Sequence, residues 1–301
     1  MESELLYSAA PGKINLFLKV TGKRCNGYHE LESLFLPLTE PADDIAIDKD
    51  ALPGAITVGS SDIMLPGGTG NIAGRAAELW AKKSATVPHW DINIVKNIPV
   101  AAGMGGGSSD AAAVLKLLNR DSGNALDKAS LHETALELGA DVPFFLDPKP
   151  SIMTGVGEIA SELDFTLPEL HLVLIAPEFP ISAAEGYKLM PAGKISPMDP
   201  ALRNDIMQAL RSHDTGKLAT LIFNDLQDGV FNKYPILPLL ARAACSCGAL
   251  NCLMTGSGPT LFAICRDEKN ANEVMAQLKE KFPQFNIFRA RQLQIAAKGD
   301  R

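Results

Sequence analysis

The sequence predicts an α+β fold of two domains, and three observations lead to that prediction. The chain has 301 residues of which 46% are hydrophobic, enough for two domains of roughly 100 to 200 residues each. Short apolar or alternating runs typical of strands occur in both halves of the chain. Segments with helical periodicity alternate with these runs, and no internal repeat is visible. We expect the domains to be residues 1–160 and 161–301.

The first half contains both kinds of element. The pattern predicts strands at 8–20 and 92–95 and helices at 71–80, 109–118 and 131–138. In the second helix Ala111, Val114, Leu115 and Leu118 share one face, which would seat that helix on a core. Gly139 is a normal signal for the end of the third helix. Asp141 stands two positions before Pro143, which predicts another helix start with Asp141 as its cap or as an exposed side chain.

The second half begins after a glycine turn at 155–158. It contains predicted strands at 171–176, 251–255, 261–265 and 286–291, and predicted helices at 218–231, 236–249 and 271–282. The proline-rich stretch 191–200 is interpreted as a mobile surface loop within the second domain.

Composition excludes several classes of protein. A net charge of −7 argues against a general nucleic-acid binder. No apolar run reaches the length of a membrane span, and the first residues do not resemble a secretory signal, so we expect a cytoplasmic protein. The five cysteines form no Cys-x-x-Cys pair and the five histidines no His-Glu-x-x-His pair, which indicates reduced thiols and no protein-bound metal centre.

A glycine cluster, Pro99-Val-Ala-Ala-Gly-Met-Gly-Gly-Gly-Ser-Ser-Asp110, leads directly into a helical segment. Glycines allow positive φ and expose main-chain N–H groups, and we expect Ser108, Ser109 and Asp110 to supply capping groups for the helix. Because a helix start carries unpaired N–H donors and the positive end of the helix dipole, the cluster predicts a phosphate site. It fits neither the P-loop nor the Gly-x-Gly-x-x-Gly pattern, and a flexible loop before a packed helix is the alternative.

Further motifs are spread along the chain. They are Pro11-Gly-Lys-Ile-Asn-Leu-Phe-Leu18, Gly22-Lys-Arg-Cys-Asn-Gly-Tyr-His-Glu30, Leu138-Gly-Ala-Asp-Val-Pro-Phe-Phe145, Gly155-Val-Gly-Glu158, Asn224-Asp-Leu226 and Leu253-Met-Thr-Gly-Ser-Gly-Pro-Thr260. Together with the glycine loop they resemble the GHMP kinases, the superfamily of galactokinase, homoserine kinase and mevalonate kinase. The resemblance runs from about Ala10 to the last predicted strand. It implies a ribosomal-protein-S5-like, ATP-binding N-terminal domain and a ferredoxin-like C-terminal domain, with the active site in the cleft between them.

The resemblance also implies a reaction and a set of site residues. The Gly-Tyr-His segment at 27–29 and the segment at 138–145 narrow the resemblance within the superfamily. They imply the ATP- and Mg²⁺-dependent phosphorylation of the 2-hydroxyl of 4-diphosphocytidyl-2-C-methyl-D-erythritol. Phosphoryl transfer needs held phosphates, a neutralising cation and an in-line hydroxyl. The resemblance assigns Asp141 to orient or deprotonate that hydroxyl and Lys13, placed in a turn by Pro11 and Gly12, to sit against Asp141 and the migrating phosphoryl group. The residues assigned to ATP are Pro99, Val100, Ala101, Ala102, Gly103, Met104, Gly105, Gly106, Gly107, Ser108 and Ser109.

Other residues are assigned to the acceptor. Tyr28 offers a face on which a pyrimidine can stack, and an ordinary core aromatic is its alternative. His29 can read the cytosine edge. Lys96 is expected to contact the diphosphocytidyl group, with surface exposure as its alternative, and Ser182 aligns with a family hydroxyl near the substrate tail. Asn26 stands where the family commonly has Asp, and because Asn also suits a left-handed turn we expect the loop shape to persist.

The remaining expectations concern the position of the glycine turn at 255–258 and two alternative functions. In the family this turn lies beside the phosphate loop, whereas by itself it would be a structural turn. One rival is another small-molecule kinase of the superfamily, of the homoserine or mevalonate type. The other is a ligand sensor without catalysis, which the presence of both Lys13 and Asp141 disfavours. We expect a small-molecule substrate, no nucleic-acid or membrane partner, and a monomer or weak homodimer.

Overall fold

The structure is a computed structural model that describes residues 5–293. Its strands are β1 (Leu6–Lys23), β2 (His29–Asp48), β3 (Ile56–Ser60), β4 (Trp90–Val95), β5 (Ser151–Thr154), β6 (Ile159–Glu162), β7 (His171–Ala176), β8 (Asn251–Met254), β9 (Leu261–Cys265) and β10 (Asn286–Gln292). Its helices are α1 (Ile72–Ser84), α2 (Gly106–Asp121), α3 (Lys128–Leu138), α4 (Val142–Leu146), α5 (Ala183–Leu189), α6 (Pro200–Arg211), α7 (Thr215–Leu221), α8 (Gln227–Lys233), α9 (Ile236–Ser246) and α10 (Glu268–Lys281).

The described residues group into two compact units, each built from separate stretches of chain. Unit 1 comprises residues 5–12, Pro41–Val100 and Gly105–Pro148. Unit 2 comprises Lys13–Glu40, Ala101–Met104 and residues 149–293. Strands β1 and β2 therefore contribute residues to both units. The division at residue 160 stays a prediction from the sequence.

In unit 1, a small sheet is covered by helices. Strand β3 runs parallel to β4, and β4 runs antiparallel to the end of β2, with Asp44 opposite Val95. Trp80 of α1 is almost fully buried, packs edge-to-face on Trp90 at 5.7 Å between ring centroids, and donates its indole N–H to Asn119 of α2. These contacts seat α1 and α2 on the sheet.

The helices of unit 1 largely follow the sequence pattern. Helix α1 starts after Asn71, whose side chain accepts from the Ala73 N–H, as an N-cap should. The predicted apolar face of α2 is confirmed, since Ala111, Val114, Leu115 and Leu118 are all buried. Helix α3 ends at Gly139 as predicted.

In unit 2, an antiparallel sheet packs against helices. Strand β7 lies between β10 and β9, and β8 forms a hairpin with β9, while β2 pairs with β10 and with β5. The predicted strands at 171–176 and 261–265 match β7 and β9 end for end. One core spans the sheet and the helices α8, α9 and α10. No helix among residues 5–293 is long and apolar enough to cross a membrane.

The single helix predicted at 218–231 is wrong. The chain leaves α7 after Leu221 and re-enters a helix at Gln227, because the intervening segment pairs with β1. The Leu18 N–H donates to the Phe223 carbonyl and the Asp225 N–H donates to the Leu18 carbonyl, both at 2.9 Å. Pairing to a distant strand outweighs the local helical pattern here, as tertiary contacts often do.

The proline-rich stretch is a loop only in part. It contains a 3₁₀ turn at Ala192–Lys194 and ends where Pro200 becomes the first residue of α6, the position that best tolerates proline in a helix. Two helices in this region, α5 and α6, are absent from the sequence prediction.

Candidate active site

Helix α2 begins earlier than the sequence suggests. Its N-cap is Gly105, with φ of 74°, and its first helical residue is Gly106. Ser108, Ser109 and Asp110 therefore lie inside the helix, and the prediction that they cap it is wrong. Within the described part of the chain no side chain caps this helix, so the N–H groups of its first turn remain available to a ligand. Ala101 and Gly103 also have positive φ, of 51° and 76°, a backbone pattern that suits an anion-binding nest.

Two buried polar atoms follow this helix start. Ser109 is 1% exposed, and its Oγ has no hydrogen-bond partner among residues 5–293. Oδ1 of Asp110 is also buried and also has no hydrogen-bond partner among these residues. Since buried polar atoms are normally hydrogen-bonded, the Ser109 hydroxyl in the first turn of this helix is a candidate to meet a ligand.

A buried charge cluster underlies the same segment. The ammonium group of Lys96 contacts Oδ2 of Asp43 and lies 2.7 Å from Oδ2 of Asp110, and all three side chains are less than a tenth exposed. Burial, opposed in part by Lys96, raises the pKa of the Asp110 carboxyl to about 7. The exposed-lysine alternative for Lys96 is thus wrong. Its contact with a substrate stays a prediction.

Asp141 stands at the start of α4. Val142 and Pro143 occupy the first two helical positions, and no capping hydrogen bond from the Asp141 side chain is found in the described structure. At the far end of α4, Lys116 of α2 donates to the Phe145 carbonyl at 3.4 Å. Local structure therefore does not use the Asp141 carboxylate as a cap, in contrast to the capping alternative.

In unit 2, Lys13 is buried inside β1. It therefore lies in a strand and not in the turn expected from Pro11 and Gly12, since β1 accommodates that dipeptide without interruption. Its ammonium donates to Oδ1 of Asn15 at 2.7 Å and to the Gly103 carbonyl at 3.2 Å, and it lies 4.5 Å from the centre of the Phe35 ring. Only 4% of Lys13 is exposed, so these contacts hold the cation in one place.

Asn15 extends this network, although it is not among the site residues predicted from the sequence. Its Nδ2 donates to Ser33 Oγ at 2.8 Å and its main-chain N–H donates to Thr255 Oγ1 at 3.0 Å. A period of two in a strand places Asn15 on the same side as Lys13, and that spacing is the signal that would have found it.

The second glycine turn packs directly on residues of the first glycine loop. A Cβ on Gly103 would lie 2.2 Å from the Thr255 carbonyl oxygen, so only glycine fits there. Asn224 holds the turn by donating to the carbonyls of Met254 and Gly256, at 2.7 and 2.8 Å. The turn therefore lies beside residues 101–104, as the family resemblance implied.

The expected acceptor residues differ in their surroundings. Tyr28 is 63% exposed, so the core-aromatic alternative is wrong. His29 stacks on Tyr187 with ring centroids 4.8 Å apart, and burial, with a smaller effect of Lys23, lowers the pKa of its imidazole. Ser182 caps α5 by accepting from the Glu185 N–H at 3.1 Å.

The turn before Tyr28 retains its shape with Asn26. Oδ1 of Asn26 accepts from the Tyr28 N–H at 3.2 Å, and the left-handed residue is Gly27, with φ of 89°, not Asn26 itself. Asn thus supports the loop by a side-chain turn that Asp would also make.

Comparison with known proteins identifies the class. The profile of the GHMP kinases N terminal domain matches residues 71–147, and that of the GHMP kinases C terminal domain matches residues 206–284. The chain belongs to the GHMP kinase family, whose members use ATP as phosphate donor. The predicted α+β, two-domain architecture of that family is confirmed.

Two relatives show which members of the family this chain is similar to. The chain is 36% identical over 276 residues to the 4-diphosphocytidyl-2-C-methyl-D-erythritol kinase of Geobacter sp. (strain M21), covering 91% of this chain and 95% of the relative. It is 35% identical over 285 residues to the kinase of the same name from Pelotomaculum thermopropionicum, covering 95% and 98%.

Solved structures agree in fold. A crystal structure of 4-(cytidine 5'-diphospho)-2C-methyl-D-erythritol kinase superposes with a TM-score of 0.80 at 29% identity, covering 97% of this chain and 100% of that one. Homoserine kinase from Cytophaga hutchinsonii gives a TM-score of 0.76 at 16% identity, covering 98% and 97%, which reflects the shared fold alone.

Proposed function

We propose that this GHMP kinase transfers the γ-phosphoryl group of ATP to the 2-hydroxyl of 4-diphosphocytidyl-2-C-methyl-D-erythritol, yielding the 2-phosphate and ADP. This is a step of non-mevalonate isoprenoid biosynthesis. The observation that carries the proposal is the similarity, at 35–38% identity over most of the chain, to kinases of that name. The homoserine and mevalonate kinases match at 16% identity or less, so they support the fold and not their own substrates.

The glycine loop and the start of α2 hold the ATP phosphates. The uncapped first turn of α2, the positive φ values at 101, 103 and 105, and the unpartnered Ser109 hydroxyl among the described residues support this role. Main-chain N–H groups and the helix dipole favour bound phosphate without requiring a charged side chain. The ATP contacts are therefore assigned to residues 99–109.

Lys13 and Asp141 perform the transfer. Lys13, fixed by Asn15 and Gly103, supplies a positive charge against the migrating phosphoryl group. Asp141, whose carboxylate makes no cap in the described structure, orients or deprotonates the acceptor hydroxyl. Positioning and charge compensation are what phosphoryl transfer chiefly requires.

Tyr28 and His29 bind the cytidine of the acceptor. An exposed tyrosine can stack on a pyrimidine, and a neighbouring imidazole held against Tyr187 can exchange hydrogen bonds with the base edge. Lys96 and Ser182 complete the proposed substrate contacts. The Lys96 ammonium already bridges two carboxylates, and Ser182 also caps α5.

Mg²⁺ is the proposed metal, and the oxygen groups present fit it. Mg²⁺ prefers hydroxyl, carboxylate and phosphate oxygens, and Ser109 Oγ is a buried hydroxyl with no partner in the part of the chain described here. Ser108 or Ser109 would contact the metal together with the ATP phosphates. When bound, the ion neutralises developing charge on the transferred group.

A kinase assay with three acceptors tests the proposal. ADP release is measured with 4-diphosphocytidyl-2-C-methyl-D-erythritol, homoserine and mevalonate, and ³¹P NMR locates the new phosphate. Turnover of the first acceptor alone is expected. Turnover of mevalonate or homoserine alone would replace the proposed acceptor, and no ADP release with any of them would favour a ligand sensor.

We also propose that the enzyme works in the cytoplasm as a monomer or weak homodimer that binds no nucleic acid. The net charge of −7 supports the last point. Light scattering after size-exclusion chromatography measures the mass in solution, and a stable tetramer would contradict the proposal.

A further inference from the structure

Asp43 lies at the point where β4 leaves the sheet of unit 1. The antiparallel ladder between β2 and β4 ends with Asp44 opposite Val95, and the chain then continues toward the glycine loop. Beyond that last pair, the side chain of Asp43, and not the main chain of β2, accepts hydrogen bonds from two main-chain N–H groups that follow β4. Its Oδ1 accepts from the main-chain N–H groups of Asn97, at 2.6 Å, and Ile98, at 2.8 Å.

The second oxygen of Asp43 reaches the other end of the loop. Oδ2 accepts from the Lys96 ammonium, which also donates to Oδ2 of Asp110 on α2 at 2.7 Å. One fully buried carboxylate thus connects the segment before the glycine loop to the helix after it. Ile98, held by this contact, also packs against the helix start, since a Cβ on Gly106 would lie 3.1 Å from its Cγ2.

We propose that Asp43 is a positioning residue for the glycine loop, holding the end of β4 and the start of α2 together through its two carboxylate oxygens. The inference rests on the proposed function in one respect, that this loop binds the ATP phosphates. It adds that nucleotide affinity depends on a carboxylate that contacts neither substrate. A loop with loosened ends must be ordered on binding, and that ordering weakens affinity.

The two aspartates of the cluster differ in what they require. Three donors converge on Asp43 and occupy both of its oxygens, so a carboxamide, which has one oxygen, must turn an NH₂ group toward donors. Asp110 accepts through Oδ2 only, and its Oδ1 has no partner within residues 5–293. A carboxamide at 110 therefore keeps the existing hydrogen bond. Asp110→Asn is the matched control, since it makes the same Asp-to-Asn change within the same buried cluster.

The test compares Asp43→Asn with Asp110→Asn in the full-length chain. Calorimetry measures the Kd of a β,γ-imido ATP analogue, and steady-state kinetics measures KM for the acceptor. We expect Asp43→Asn to weaken analogue binding by about tenfold or more, because a loop with loosened ends must be ordered on binding. Asp110→Asn should stay within about twofold of wild type in analogue binding. Because Lys96, the proposed acceptor contact, is held by both carboxylates, the acceptor KM is compared between the two variants and is not expected to separate them.

Amide hydrogen exchange provides a readout that a general loss of stability would not produce. Exchange in Asp43→Asn should accelerate at 97–109 while the protection of β7 and β9 is retained. Wild-type protein gives a further measurement that needs no variant. Its Asn97 and Ile98 amides should be protected against exchange to the same degree as the amides of β4, although these two residues lie beyond the ladder.

Each contrary outcome is distinct. Wild-type analogue affinity in Asp43→Asn, equal losses of analogue affinity in both variants, acceleration of exchange over the whole chain, or rapid exchange of the wild-type Asn97 and Ile98 amides would each overturn the inference. If wild-type protein binds the analogue but does not phosphorylate the cytidylyl acceptor, the proposed function fails while the role of Asp43 is still decided by the affinity and exchange data.

Discussion

The Lys13 ammonium donates a 2.7 Å hydrogen bond to the side-chain oxygen of Asn15, two residues further along the same strand. Asn15 is in turn fixed by Ser33 and Thr255, so the position of the cation depends on a buried network that reaches from β1 to β2 and to the second glycine turn. Because the network is buried, its members lack water as an alternative partner.

Asn15→Ala should lower kcat more than it changes either KM. The substitution removes the acceptor that orients Lys13, and a misplaced catalytic group can cost about 10²-fold in rate. Steady-state kinetics with both substrates measures the effect. Ser33→Ala is the control, because it removes one hydrogen bond to Asn15 and leaves the Lys13 contact in place. Equal losses of kcat in the two variants would argue that Asn15 acts through stability alone.

Asp141→Asn should lower kcat by on the order of 10² to 10⁴, the usual contribution of a positioned acid or base. Acceptor affinity should change much less, since the group acts mainly in the transition state. Lys13→Met should also lower kcat, and the double variant should lose less than the product of the single losses if the two residues act as a unit. Near-normal turnover by Asp141→Asn with a reduced Tm would identify Asp141 as a structural residue.

Strong local patterns made most of the fold predictable. Buried strands such as β7 and β9 are continuous apolar runs, and α2 carries its apolar face at helical spacing, so sequence and structure agree there. The break between α7 and α8 was not predictable from its own residues, because it results from pairing with β1 some 200 positions away, as the separation of Leu18 and Asn224 shows.

The candidate site likewise contains residues that the sequence indicates and residues that it does not. The glycine loop carries its chemistry in contiguous residues and was found from them. Asn15 was not predicted, although strand periodicity places it on the same side as Lys13. Asp43 has no such signal, since nothing in an Asp-Asp pair indicates that the first is fully buried beneath a loop more than 50 residues later. Ser108 and Ser109 looked like caps because the serine pair is a common helix start, whereas Gly105 begins α2 with a positive φ.

Gly107→Ala should separate stability from nucleotide binding. A Cβ at this position would meet only Ile72 Cγ2, at the ordinary distance of 3.5 Å, and alanine favours a helix over glycine by about 1 kcal/mol. We expect an unchanged or higher Tm together with weaker binding of an ATP analogue, because the methyl group would occupy space needed by phosphate. Unimpaired binding by calorimetry would place the phosphates away from Gly107.

The imidazole of His29 should titrate below the ordinary histidine value of about 6.5, because burial disfavours its charged form. The contribution of His29 to stability is therefore present above that ordinary value and is lost as the pH falls through the folded-state pKa. NMR titration of the ring protons measures the midpoint. Tyr187→Ala should move it upward by exposing the ring, and Lys23→Gln should move it upward by a smaller amount. A wild-type midpoint above 6.5 would contradict the burial argument.

Tyr28→Ala should raise KM for the cytidylyl acceptor and leave KM for ATP nearly unchanged. The side chain is 63% exposed, so its removal costs the fold little, while a lost stacking contact on a base is worth about 1 to 3 kcal/mol. Tyr7→Ala is the matched control, since Tyr7 is a tyrosine of similar exposure, 57%, that is not assigned to the cytidine. Kinetics with both substrates and thermal unfolding of both variants measure the difference. If Tyr28→Ala raised both KM values equally, or had the same effect as Tyr7→Ala, the cytidine would have to bind elsewhere. An exposed ring that stacks on the base should affect the KM of the acceptor selectively.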